Sequence, residues 1–144
     1  MDSLTFRPGK ALLQSHSHTL PWKVVFEDEG VAAYFYACDR SLTPDADGFE
    51  PQVVDVMLVY NVSQIKDRAR DYLASVQWSR DGRQAVLYLD GSPQAIADFA
   101  ERRGYCKSNF PNFMEERGAV WQTGNHAWDE SVLSKFETAI YSES

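Results

Sequence analysis

The densest basic cluster in this acidic chain is Arg102-Arg103-Gly-Tyr-Cys-Lys107. Neighbouring guanidinium groups are suited to a carboxylate or phosphate, because an arginine fork matches two oxygens of one anion. Tyr105 and Asn109 add hydrogen-bonding groups, and Gly104 is expected to let the backbone turn sharply. The predicted binding residues are therefore Arg102, Arg103, Tyr105 and Asn109. The competing use of the two arginines is pairing with the chain's own acidic stretches, Glu27 to Glu29 or Asp45 to Glu50.

Two other sets have the right residue types and weaker spacing. Cys106, His126 and Asp129 contain a thiol, a base and a carboxylate, but nothing local marks Cys106 as an activated nucleophile, so a packed thiol is expected. His16 and His18 would share one side of an extended chain, yet no further ligand follows at a metal-site spacing. Two solvated histidines are the expectation. The chain has no P-loop, no GxGxxG, no HExxH and no GxSxG. No catalytic residue, metal or cofactor is predicted.

Several β-rich runs must position these residues. Trp22 to Glu27 and Val31 to Cys38 flank Glu27-Asp-Glu-Gly30 and read as a hairpin; Val53 to Tyr60 (VVDVMLVY) reads as a central strand with both faces covered. Between them, residues 40–52 contain Pro44, Gly48 and Pro51 and three acids, which predicts an acidic surface loop. Ser63 is a candidate N-cap for a short helical turn. Leu73 to Trp78 and Gln84 to Leu89 enclose Ser79-Arg-Asp-Gly82, the strongest hairpin signal in the chain, and Asp90-Gly91 supplies a second turn. Trp78-Ser-Arg-Asp-Gly82 looks like a propeller blade turn, but no other segment repeats it at a blade period.

From Ser92 to Gly104 the local signals conflict. Ser92 as N-cap, Pro93 and Gly104 spell a helix, while Ile96 among small residues suits a third meander strand. Residues 106–125 should be irregular, packed by Phe110, Phe113 and Trp121. Val132, Leu133, Phe136 and Ile140 then share one helical face behind Asp129, predicting an amphipathic helix over about Glu130 to Tyr141. The fold class expected is α+β: one domain over 1–144, mainly an antiparallel meander of about six strands, with a C-terminal helix.

The totals narrow the function classes. At 144 residues with 44% apolar composition the chain can bury a core without metal or disulfides. No apolar run nears the ~20 residues that span a bilayer, and no leader pattern opens the chain, so a cytoplasmic protein with Cys38 and Cys106 reduced is expected. The stretch Glu27 to Asp55 has eight acidic residues against Arg40 alone and carries the whole net charge of −7. Nucleic acid and membrane are poor partners for such a surface; a basic protein is a suitable one.

Three phrases together resemble a small family of uncharacterised bacterial proteins over about residues 20 to 135. They are Val24-Val-Phe-Glu-Asp-Glu-Gly30, Gln77-Trp-Ser-Arg-Asp-Gly82 and Asp98-Phe-Ala-Glu-Arg-Arg-Gly-Tyr-Cys-Lys-Ser-Asn-Phe-Pro111. The resemblance implies a bacterial cytoplasmic protein and leans the segment before Asp98 toward a strand, but it assigns no site residue. Two functions follow. One is a non-catalytic module that meets a basic partner protein through its acidic loops, as an immunity-type inhibitor would. The other is a small enzyme or anionic-ligand sensor built on Arg102, Arg103 and Tyr105.

Overall fold

A computed structural model describes residues 1–18, 21–40, 53–108, 121 and 126–141. Nine strands and one helix are present among them: β1 (Asp2–Phe6), β2 (Ala11–His16), β3 (Trp22–Asp28), β4 (Ala32–Asp39), β5 (Val53–Asn61), β6 (Tyr72–Trp78), β7 (Gln84–Leu89), β8 (Ser92–Asp98), β9 (Arg103–Cys106) and α1 (Glu130–Tyr141). All pairings are antiparallel, so the fold is α+β with strands first and the helix last. The six expected strands are β3 to β8, and the segment before Asp98 is a strand. β1, β2 and β9 are additional.

The strands form two open sheets, ordered β1-β6-β7-β8-β9 and β2-β3-β4-β5. The chain passes from one sheet to the other at the Pro8-Gly9 turn, where Arg7 pairs with Lys10, and β5 lies along β9 at the opposite edge. The inner faces meet in a core that includes Phe6, Leu13, Phe26, Phe35, Met57, Val76 and Leu87. Phe6 and Phe26 close it edge to face across the sheets, with ring centroids 5.3 Å apart.

The five-stranded sheet is covered on its other face as well. Val86, Ile96 and Tyr105, one from each of β7, β8 and β9, pack against Leu133 and Phe136 of α1. Alternate residues of Gln84-Ala-Val-Leu-Tyr-Leu89 therefore enter different cores, which explains why that strand is apolar without alternation. The Asp129 carboxylate accepts the Ser131 N–H at 2.9 Å and caps α1; the Ser131 hydroxyl and this N–H hold its pKa below the usual range. Full burial of a side chain such as Phe136 is worth about 1.5–3 kcal/mol.

Two turns follow the sequence closely. Gly82 N–H donates to Ser79 O at 2.9 Å, and the Ser79 hydroxyl accepts Gln84 N–H at 3.0 Å, closing the β6–β7 hairpin. Asp90 and Gly91 both have positive φ, 50° and 80°, as a two-residue I′ turn requires. The short helical turn is a 3₁₀ segment, Val62–Gln64, beginning one residue before the expected cap. Asn61 is at its N-cap without a side-chain bond, so Ser63 caps nothing. Gly104, expected in a sharp turn, instead lies inside β9.

At one end of the sandwich a buried carboxylate fastens three segments. Asp28 accepts Gly9 N–H at 2.7 Å, Gly30 N–H at 2.9 Å and the Tyr60 hydroxyl at 2.5 Å, joining the β1–β2 turn, the β3–β4 turn and β5. Burial and then the Asp28 bond push the Tyr60 hydroxyl well above its usual value of 10. Replacing Tyr60 with Phe deprives Asp28 of one donor and should cost about 1–3 kcal/mol, read as a lower urea midpoint at unchanged slope. Burial also raises Tyr36 to about 12, helped by Glu27, and Cys38 to about 11. Groups raised in the folded state keep their protons after the unfolded chain has released them, so their contribution is complete below the unfolded values and is lost as pH rises. Stability should decline from about pH 9, where the unfolded thiol titrates, and less steeply in Tyr60→Phe. Parallel pH profiles of the two proteins would contradict this account.

Candidate functional site

At the other end of the sandwich, the start of β3, the end of β4 and the start of β5 face the start of β7 and the β8–β9 turn. Phe99, just after β8, is held by its N–H to Arg83 O at 2.8 Å. From the opposite sheet Trp22 stacks on it, with centroids 5.0 Å apart and planes 7° from parallel. Trp78 lies 6.0 Å away at 21°, and Trp121 meets Phe99 edge-on at 5.4 Å and 76°. The Trp78 indole donates to the buried Ser15 hydroxyl at 2.8 Å, so the cluster is anchored to β2 as well.

A cavity of about 280 Å³ opens over this cluster, lined by Trp22, Val54, Phe99, Ala100 and Trp121, with Asp39, Arg83 and Arg102 supplying charge. The guanidinium groups of Arg83 and Arg102 have no salt-bridge or hydrogen-bond partner among the described residues. Arg102 adopts φ 56°, in the left-handed region, at the turn between β8 and β9. Buried Asp98 holds that turn: it accepts Glu101 N–H at 3.0 Å and Gln84 Nε2–H at 2.8 Å. A β-hairpin whose tip is fixed from beneath thus presents one arginine, and the end of the β6–β7 turn presents the second. Such an arrangement can bind an anion by paired charge-assisted hydrogen bonds while apolar rings contact the rest of the ligand.

Beneath the cavity wall is a second buried carboxylate. Asp55 on β5 accepts the Trp121 indole N–H at 2.9 Å, His126 Nε2–H at 2.7 Å and the Val56 N–H at 2.9 Å. Asp55 and His126 are 0% and 1% exposed. The network sits against Gly104: a Cβ there would collide with Asp55 Oδ2 and lie 2.9 Å from Met57 Sδ and 3.2 Å from His126 Cδ2. Glycine at 104 is thus a matter of space for the carboxylate and not of a turn.

Of the four predicted binding residues, the three that are described do not gather in one place. Arg102 lines the cavity. Arg103 is on β9 with its guanidinium 5.0 Å from the Tyr105 ring centroid, and Tyr105 is buried beneath α1, its hydroxyl pKa raised chiefly by burial. Asn109 lies outside the described residues, as do Phe110, Phe113 and the acidic loop beyond Arg40. Cys106 and His126 are joined through the backbone, Cys106 N–H donating to His126 O at 3.0 Å, while the His126 ring bonds Asp55 and Asp129 caps α1. Both cysteines are free and buried. His16 faces outward at the end of β2, and His18 Nε2–H donates to Arg80 O at 2.8 Å. No group of metal-binding side chains occurs among the described residues.

Comparison with known proteins places this arrangement in a lineage. A family model described as an uncharacterized protein conserved in bacteria (DUF2251) matches residues 6–137. The chain belongs to this bacterial family. In Haemophilus influenzae an uncharacterized protein is 34% identical over 88 residues, 61% of this chain and 51% of that protein. The chain spans about half the length of that relative. No solved structure matches.

Every cavity-lining residue, from Trp22 to Trp121, falls within the span matched to DUF2251. The sequence reading passed over Trp22, Asp39, Arg83 and Trp121 as site residues, because they come from four separate segments. Asp55 had a local signal: it is the one charge in Val53-Val-Asp-Val-Met-Leu-Val-Tyr60, and an acid in a strand covered on both faces needs buried donors. Gly104→Ala should therefore lower stability by about 1–3 kcal/mol, since the intruding methyl meets a hydrogen-bonded carboxylate that has nowhere to retreat. A urea midpoint equal to that of the unaltered protein would show that the network yields without cost.

Proposed function

We propose that this protein is a binding module that takes a small anion into the cavity between Arg83 and Arg102. The observation that carries this reading is that neither guanidinium group makes a salt bridge or hydrogen bond among the described residues, although Asp81 lies within electrostatic reach of Arg83, while both line one cavity over packed aromatic rings. An arginine held at positive φ supports it further. That conformation costs a non-glycine residue about 1–2 kcal/mol, which a glycine would avoid, so the side chain has a use there. A location in the bacterial cytoplasm goes with the reading and suits two buried free thiols. No helix among the described residues is long and apolar enough to cross a membrane.

A ligand that binds only the folded protein stabilises it by about 2.7 kcal/mol at a hundredfold excess over Kd, which is several degrees in Tm for a domain of this size. A panel of carboxylates and phosphates at constant ionic strength should contain members that raise Tm in this way. Arg83→Ala and Arg102→Ala should each abolish the rise while leaving the ligand-free Tm within about 1 kcal/mol of stability, because surface residues without partners contribute little to folding. Arg103→Ala should retain it. A Tm indifferent to every anion, or a rise that survives both substitutions, would remove this function.

A second reading has one observation in its favour: after burial, Glu27 and then Glu29 contribute to raising the Tyr36 hydroxyl to about 12, so the outer face of the four-stranded sheet is negative. A basic partner protein meeting that face would bind with strong salt dependence. Glu27→Lys with Glu29→Lys should weaken capture of such a partner from the source cell without changing the anion response.

A further inference from the structure

The cavity carries more than a charge requirement, and on the reading that it binds anions we infer that its ligand is an aromatic acid: a planar ring bearing a carboxylate or phosphate. A cavity of about 150 Å³ is enough to hold benzene, so about 280 Å³ accommodates a ring and an acid group. The walls set the shape. Trp22 is the partly exposed ring of the wall, with one face stacked on Phe99, while Phe99 and Trp121 are buried behind it, so a ligand ring meets the remaining surface of Trp22. Aromatic contact of this kind is worth about 0.5–1.5 kcal/mol beyond area burial. The charges set the orientation. Arg83 and Arg102 draw the acid group to the rim formed by the β8–β9 turn, and Asp39 repels a second acid, so a monoacid fits better than a diacid.

Calorimetric titration of the full chain with acetate, benzoate, inorganic phosphate, phenyl phosphate and benzyl alcohol separates the requirements. Benzoate should bind at least tenfold more tightly than acetate, phenyl phosphate at least tenfold more tightly than inorganic phosphate, and benzyl alcohol at least tenfold more weakly than benzoate. Trp22→Leu, which keeps apolar bulk and removes the ring, should bring benzoate to within about threefold of acetate. The ligand ratios on the unaltered protein stand as a test even if that variant fails to fold. Benzoate and acetate binding within twofold of each other would overturn the ring requirement and leave the anion site intact. Absence of binding by all four acids would overturn both.

Discussion

The buried carboxylate of Asp55 is the constraint around which the cavity end of this protein is arranged. Desolvating an unpaired carboxylate costs several kcal/mol, and the cost is tolerable only when donors replace the lost water. Here three donors come from three places: Trp121, His126 and the backbone of Val56. Satisfying one charge therefore fixes the positions of Trp121 and His126, which lie outside the named strands. Trp121 is a cavity wall, and the His126 carbonyl pairs with β9. The cavity wall is thus set from below by a group that is not itself among the lining residues. Gly104 completes the arrangement by leaving space where any side chain would strike the carboxylate.

The other end of the sandwich uses the same device for a different purpose. Asp28 gathers two backbone amides and a tyrosine hydroxyl, and its partners are two turns and a strand of the framework. A fastener at each end suits two open sheets whose edges meet at β1–β2 and β5–β9 without continuous pairing. Apolar burial between sheets is non-directional and leaves sliding freedom, whereas a buried hydrogen-bonded carboxylate tolerates only one alignment. The stacked Trp22 and Phe99, one from each sheet, add a third cross-sheet contact at the cavity.

How much of this was legible in the sequence depended on whether the signal was local. Ser79-Arg-Asp-Gly82 and Asp90-Gly91 carry their turn chemistry within four residues, and the helix from Glu130 carries its period within twelve, so both are readable. β1, with only Leu4 and Phe6 as large apolar residues, and β9, with Arg103 and Gly104 in a run of four, offer too little pattern to register as strands. Gly104 was read as a turn because glycine has two uses, conformational freedom and absence of bulk, and only the neighbouring carboxylate decides between them. The cavity was the least legible feature. Arg102 stands out because another basic residue follows it, but the residue the fold sets beside it at the cavity is Arg83, nineteen positions earlier and across the meander, while adjacent Arg103 and Tyr105 lie in a different layer.

That separation of layers also bears on how a chain with a net charge of −7 can line one cavity with two arginines. Of the eight acidic residues between Glu27 and Asp55, Asp28 and Asp55 are consumed in buried hydrogen bonds, and Glu27 and Glu29 act on Tyr36, on the outer face of the four-stranded sheet. Exposed charges farther away than the Debye length, about 8 Å at physiological ionic strength, contribute little to the potential at a given site. Among the described residues lining the cavity, Arg83 and Arg102 stand against Asp39. An acidic exterior and a locally cationic recess are thus compatible, because each buried acid has been matched with donors of its own.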